Sequence, residues 1–129
     1  MSLMTITDYN QNEVMDAFER GDYKSVLREA LSHASAGNPA AQCMISLLYQ
    51  CGYGVERNLT IAEEWLLKAA KQNYPLAWNN LGTLYAVGGE GLSQGREKSW
   101  ECYTRAKELG FDGAEPFPPG ASEVTPKLT

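Results

Sequence analysis

The chain has 129 residues, 43% of them hydrophobic and 21% charged, with a formal net charge of −5. That length suits one domain with a real core. Phosphate recognition needs clustered Lys and Arg, and no basic run is present, so nucleic acid is not an expected partner. The acidic balance also fits an anionic membrane surface poorly, and no stretch of about 18 apolar residues exists to span one.

Residues 1–10 lack the basic start and apolar run of a signal peptide. Met1-Ser2-Leu3 ahead of Met4 reads as a cloning remnant, so residues 1–6 are set apart as a leader. A helix over 7–20 follows, with Val14, Ala17 and Phe18 on one side and Gly21 ending it. The next helix, 23–36, has Asp22 at its start and Val26 and Leu27 in its apolar stripe. A third, 39–51, places Ala41, Ile45, Leu48 and Tyr49 on one face. Pro39 sits near its start, where a missing N–H costs nothing, and Gly52 and Gly54 stop it. A fourth helix, 59–72, capped by Asn58, carries Ala62, Trp65, Leu66, Ala69 and Ala70. A fifth, 75–87, opens on Pro75. A sixth, 96–109, carries Trp100, Cys102, Tyr103, Ala106 and Leu109. From Gly113 onward, Pro116, Pro118, Pro119 and Pro126 forbid a helix, and residues 115–129 read as an extended or disordered tail.

The third and fifth helices are copies of one another. Gly37-Asn38-Pro39-Ala40-Ala41 aligns with Asn73-Tyr74-Pro75-Leu76-Ala77 at an offset of 73 − 37 = 36, and Ile45, Leu48 and Tyr49 fall on Leu81, Leu84 and Tyr85. A partial third copy begins at Gly110, one residue late. A period of about 36 residues means a helix pair per repeat. The expected fold is therefore all-α: an α/α superhelical solenoid of about three antiparallel helix pairs over residues 7–114. Neither member of a pair covers its stripe alone, so the pairs stack. Ala41, Ala62, Ala69, Ala70 and Ala77 let the helices approach, and Tyr49 and Tyr85 fill the space between pairs.

Ala41-Gln42, Leu47-Leu48-Tyr49, Gly52-Tyr53-Gly54-Val55 and Ala62-Glu63-Glu64-Trp65-Leu66-Leu67-Lys68-Ala69-Ala70 together resemble the Sel-one-like repeat (SLR) family. That family is related to the tetratricopeptide repeat but has a longer loop between its helices. Ala17-Phe18-Glu19-Arg20-Gly21-Asp22-Tyr23 resembles the half repeat that often opens such arrays. Ser46 departs from the family pattern, which prefers Gly there. The resemblance implies a protein–protein interaction module, an adaptor, scaffold or regulatory subunit, with a concave face lined by the first helix of each pair. By that analogy the partner-binding residues are Cys43, Met44, Leu47 and Gln50 in one unit, and Asn79, Asn80, Thr83 and Ala86 in the next. Trp78 matches Gln42, which is not a core type, so Trp78 is expected to be an exposed aromatic anchor. The mixture of apolar groups and amides suits a partner peptide or helix; the competing reading of these residues is plain solvated surface.

Nothing here assembles a catalytic centre, and no cofactor or metal is expected. His33 is the only histidine and aligns with Ala69, a packing position, so it reads as a core or edge residue without a nucleophile to serve. Three scattered cysteines and one histidine make a poor zinc site. Cys43 and Cys51 lie eight residues apart on one helix, about 12 Å, too far to bridge. The odd cysteine count points to reduced thiols in a cytoplasm, most simply a bacterial one. Cys102 reads as apolar filler and Cys43 as partly exposed groove lining. Glu63 and Glu64 read as solvated charge. Gly88-Gly89-Glu90-Gly91 lacks the Lys and Ser/Thr of a phosphate loop. Two other functions stay open at this point: self-association, as a homodimer or larger assembly, through the uncapped last helix pair, and a bacterial immunity- or effector-associated binding protein.

Overall fold

The computed structural model describes residues 9–88 and 95–112. Among these are six helices and no strand: α1 Gln11–Glu19, α2 Tyr23–Ser35, α3 Pro39–Cys51, α4 Leu59–Ala70, α5 Pro75–Val87 and α6 Arg96–Glu108. Each packs on the next, and the first helices α3 and α5 also touch. This is an all-α helical repeat superhelix. The leader, the tail 115–129 and residues 89–92 of the glycine loop lie outside the described residues.

Side-chain caps set four of the starts. Asn10, Asp22, Asn38 and Asn58 each accept a hydrogen bond from the N–H three residues on, at 3.1, 3.3, 3.0 and 3.0 Å; each such cap is worth about 1 kcal/mol. The Asn10 cap explains why α1 starts at Gln11, later than the apolar pattern alone suggests. Pro39 and Pro75 occupy the first turns of α3 and α5. Gly52 ends α3 at φ +73°, in the left-handed region. Gly54 is doubly constrained: its φ is +76°, and a Cβ there would stand 2.8 Å from the Cβ of Tyr23. The loop after α3 is thus pressed onto the start of α2.

The apolar side chains form two cores. One joins Val14 and Ala17 of α1, Val26, Ala30 and Ala34 of α2, and Ala41, Met44, Ile45 and Leu48 of α3. The other joins Leu59, Leu66, Ala69 and Ala70 of α4 to Ala77, Leu81, Leu84 and Tyr85 of α5, with Cys43 and Cys102. Helix α3 feeds both. Full burial of side chains such as Ile45 and Leu81 contributes roughly 1.5–3 kcal/mol each.

The two repeats are held by different contacts. In the first, Gln42 is buried, correcting its reading as a non-core type: its Nε2 donates to Ala34 O at 3.0 Å and its Oε1 accepts from Gln72 Nε2 at 3.2 Å. In the second, Trp78 takes that place. It is half-buried against the second core, not an exposed anchor, and its Nε1 is buried with no hydrogen-bond partner among the described residues. Gly82, the counterpart of Ser46, sits under the ring of Tyr103, where a Cβ would meet Cδ1 at 2.7 Å. Ser99 Oγ donates to Gly82 O at 2.8 Å. Tyr85 Oη donates to Glu63 Oε2 at 2.6 Å, and Lys98 Nζ lies 4.4 Å from the Tyr85 ring centroid. Glu63 is therefore a half-buried acceptor between repeats, where solvated charge was expected; Glu64 is exposed.

Candidate functional site

The first helices α1, α3 and α5 enclose a hollow of about 270 Å³ on the face opposite the second helices. Met15 of α1, Cys43, Met44 and Leu47 of α3, and Leu76 of α5 supply its apolar surface; Gln11, Gln50, Asn80 and Thr83 supply polar groups. None of the described lining residues is charged. Gln50 Nε2 donates to Ser46 Oγ at 3.2 Å, and Asn80 Oδ1 accepts from Asn79 Nδ2 at 3.5 Å. Thr83 Oγ1 lies 2.7 Å from Tyr103 Oη, so the lip of α5 is tied to α6.

Of the residues that the family analogy places on the concave face, Cys43, Met44, Leu47, Gln50, Asn80 and Thr83 line this hollow together. Cys43 is 4% exposed. It belongs to the floor and packs into the second core, because α5 lies against that side of α3, where partial exposure was expected. Burial pushes its thiol up to about 12, so it stays protonated. Met44 is buried as well. Trp78, Asn79 and Ala86 do not line the hollow. Asn79 is half-buried beside Asn80, and Ala86 is exposed. Gln11, Met15, Ala40 and Leu76 are lining residues that sequence reasoning missed. The signal was available: the same offset of 36 pairs Gln11 with Leu47 and Ala40 with Leu76.

A smaller hollow of about 170 Å³ adjoins the first, sharing Gln50 and Thr83 with it. Its other lining residues include Cys51, Arg57, Leu59, Leu84 and Val87. A separate hollow of about 310 Å³ between α1 and α2 is polar, with Asp16, Arg20, Arg28 and Glu29 around it. Glu13 also lines it, and Arg20 stands 3.9 Å from both Asp16 and Asp22.

His33 is buried, with Nε2 3.4 Å from Glu29 Oε2 and its ring 5.4 Å from that of Tyr9. It lines none of these three hollows. Among the described residues no three His, Cys, Asp or Glu side chains are grouped to hold a metal ion. Cys43 and Cys102 are buried thiols and Cys51 an exposed one. No described helix is long and apolar enough to cross a membrane.

Helix pairs stacked at this period define an all-α helical repeat protein. The model of the Sel1 repeat family matches residues 39–74 and 75–111, more than half of the chain. The chain belongs to the Sel1 repeat family. It is similar to the crystal structure of a Sel1 repeat protein from Oxalobacter formigenes, with 34% identity and a TM-score of 0.67, over 77% of this chain and 40% of that one. It is also similar to c5321, a protective antigen of uropathogenic Escherichia coli strains with an SLR fold, at 28% identity and a TM-score of 0.70, over 77% of this chain and 22% of that one. The chain thus spans well under half the length of either. No curated protein matches it. Sel1 repeat proteins are generally protein–protein interaction modules, and the fold is typically a non-enzymatic scaffold.

Proposed function

We propose that this chain is an adaptor, scaffold or regulatory module that grips a peptide or helical segment of a partner protein in the hollow of α1, α3 and α5. The observation that supports it is the composition of that hollow: an apolar floor of Met15, Met44, Leu47 and Leu76, edged by the amides of Gln11, Gln50 and Asn80. Apolar floors supply association energy and convergent polar groups supply orientation. Nucleophilic catalysis needs a base beside its nucleophile, and none of the described residues lining this hollow is a histidine or a carboxylate.

The test is capture of the partner recovered from the native cell by affinity purification and mass spectrometry. Leu47→Asp together with Asn80→Ala should weaken capture at least about tenfold, equivalent to about 1.4 kcal/mol, with the helical circular dichroism unchanged. Undiminished capture by a folded double variant would move the site off the concave face.

A further inference from the structure

The two adjoining hollows form one strip along α3 and α5. They share Gln50 and Thr83, and between them they run from Ala40, in the first turn of α3, to Cys51 at its last residue. Those eleven steps of helix measure about 16 Å. The strip is almost without charge in a chain whose net charge is −5. Its one charged residue among those described is Arg57, whose Nε already donates to Gln50 O at 3.2 Å. A carboxylate or ammonium brought onto the Met44 and Leu47 floor would lose its water and find no opposite charge among the described residues lining the first hollow, which is costly. A free chain terminus or an acidic side chain is therefore a poor match for that floor. At the far end the apolar side chain of Val87 stands 68% exposed.

The polar groups of the strip decide between two shapes of occupant. A helix satisfies its own backbone and has little use for lip amides. An extended segment must place its N–H and C=O groups somewhere, and Gln11 of α1, Gln50 of α3, and Asn80 and Thr83 of α5 bring polar side chains to the floor. An extended chain of about five residues covers about 16 Å.

Building on the concave-face reading above, we propose that the two hollows are one groove whose occupant is an interior, uncharged, extended segment of a partner protein. Alternate apolar side chains of that segment enter the first hollow over Met44 and Leu47 and then the second against Leu59, Leu84 and Val87. The two methionines adapt to unequal side chains, so the groove selects by spacing and lack of charge more than by one shape.

The probe is a displayed library of random twelve-residue peptides, offered to the full chain in two formats, one flanked on both sides and one ending in a free carboxylate. The flanked format should enrich peptides with apolar residues at every second position and few acids. Asn80→Ala and Leu47→Asp should each lower their affinity at least tenfold. Cys51 gives an independent readout, because it is exposed on the second hollow while Cys43 and Cys102 are buried. A bound peptide should slow iodoacetamide alkylation of Cys51 about tenfold, and Cys51→Ser should remove the signal. Binders that require a free carboxylate, that show helical spacing, or that leave Cys51 alkylation unchanged overturn the inference. If Leu47→Asp still weakens those binders, the concave site itself survives. Binders indifferent to both substitutions, or no enrichment in either format, overturn the inference and count against the concave site too.

Discussion

The two repeats have the same helix pair and the same alanine seams, yet they are fastened by opposite means. In repeat 39–74 a buried amide, Gln42, links α2, α3 and the end of α4 through hydrogen bonds to Ala34 O and Gln72. In repeat 75–111 the same place holds Trp78, whose N–H has no partner among the described residues, and the fastening moves to the Gly82–Tyr103 contact, the Ser99–Gly82 bond and the Tyr85–Glu63 bond. A repeat thus conserves its geometry while exchanging polar satisfaction for close steric fit. The first kind of fastening is sensitive to loss of a partner atom, the second to gain of one.

The sharpest way to break the comparison is to add a methyl group. Gly82→Ala should force Tyr103 off α5 and lower stability by about 1–3 kcal/mol, read as a fall in melting temperature. Ser46→Ala, at the matching place, should cost much less, because only the Gln50 contact at 3.2 Å is lost. Equal losses would show that the two helix faces are packed alike. Removing a partner should hurt the other repeat: Gln42→Ala removes a buried amide and its two hydrogen bonds, at about 1 kcal/mol for each bond, while Ala34 O keeps Gly37 N and the Gln72 amide keeps Gly37 O. Trp78→Phe deletes a buried N–H with no partner among the described residues together with part of the indole's packing, so it should cost less than Gln42→Ala. A larger drop would show that the indole's packing, not polar satisfaction, fastens this repeat.

Alkaline pH sharpens the comparison in a milder way. Burial pushes the Tyr9 hydroxyl up to about 12, the Cys43 thiol up to about 12 and the Cys102 thiol up to about 11. Burial and the Glu63 carboxylate push the Tyr85 hydroxyl higher still. In the unfolded chain these groups ionise from 9.0 for the thiols and 10.0 for the tyrosines. Groups raised on folding give their full stability below the unfolded pKa and lose it as pH climbs. Stability is therefore expected to hold up to about pH 9 and to fall toward pH 12 in denaturant titrations. Tyr85→Phe should cost about 1 kcal/mol at neutral pH and flatten the upper part of that fall, because the variant no longer has Tyr85 to ionise. A decline of unchanged steepness would assign the alkaline loss to Tyr9, Cys43, Cys102 and Tyr74, whose hydroxyl burial also pushes up.

The fold was legible because its main signal is an offset of 36, which needs no knowledge of neighbours. Boundaries of α3 and α5 follow from Pro39, Pro75 and the glycines after them. The start of α1 was not read, since the pattern continues upstream of Asn10 and only the cap ends it. The site was legible in kind: Leu47, Gln50, Asn80 and Thr83 share a face because helical period puts them there. What failed were judgements of burial. Gln42 is inside because Gln72, thirty residues away, meets its amide, and Glu63 is occupied because Tyr85 reaches back from the next repeat. Polar side chains bonded to a residue outside their own helix look like surface in any single helix. Cys43 was misjudged for a similar reason, since its own helix does not reveal that α5 covers it.

Helix α3 has apolar side chains on two sides, Ile45 and Leu48 toward the first core and Cys43 toward the second. Most repeat arrays can fray from one end while the remainder stays intact. Here the element that would be the boundary of such fraying is common property of both halves. Melting either core strips one flank of α3, so the molecule should come apart in a single step, and amide exchange at Ile45 and Leu81 should report the same opening free energy.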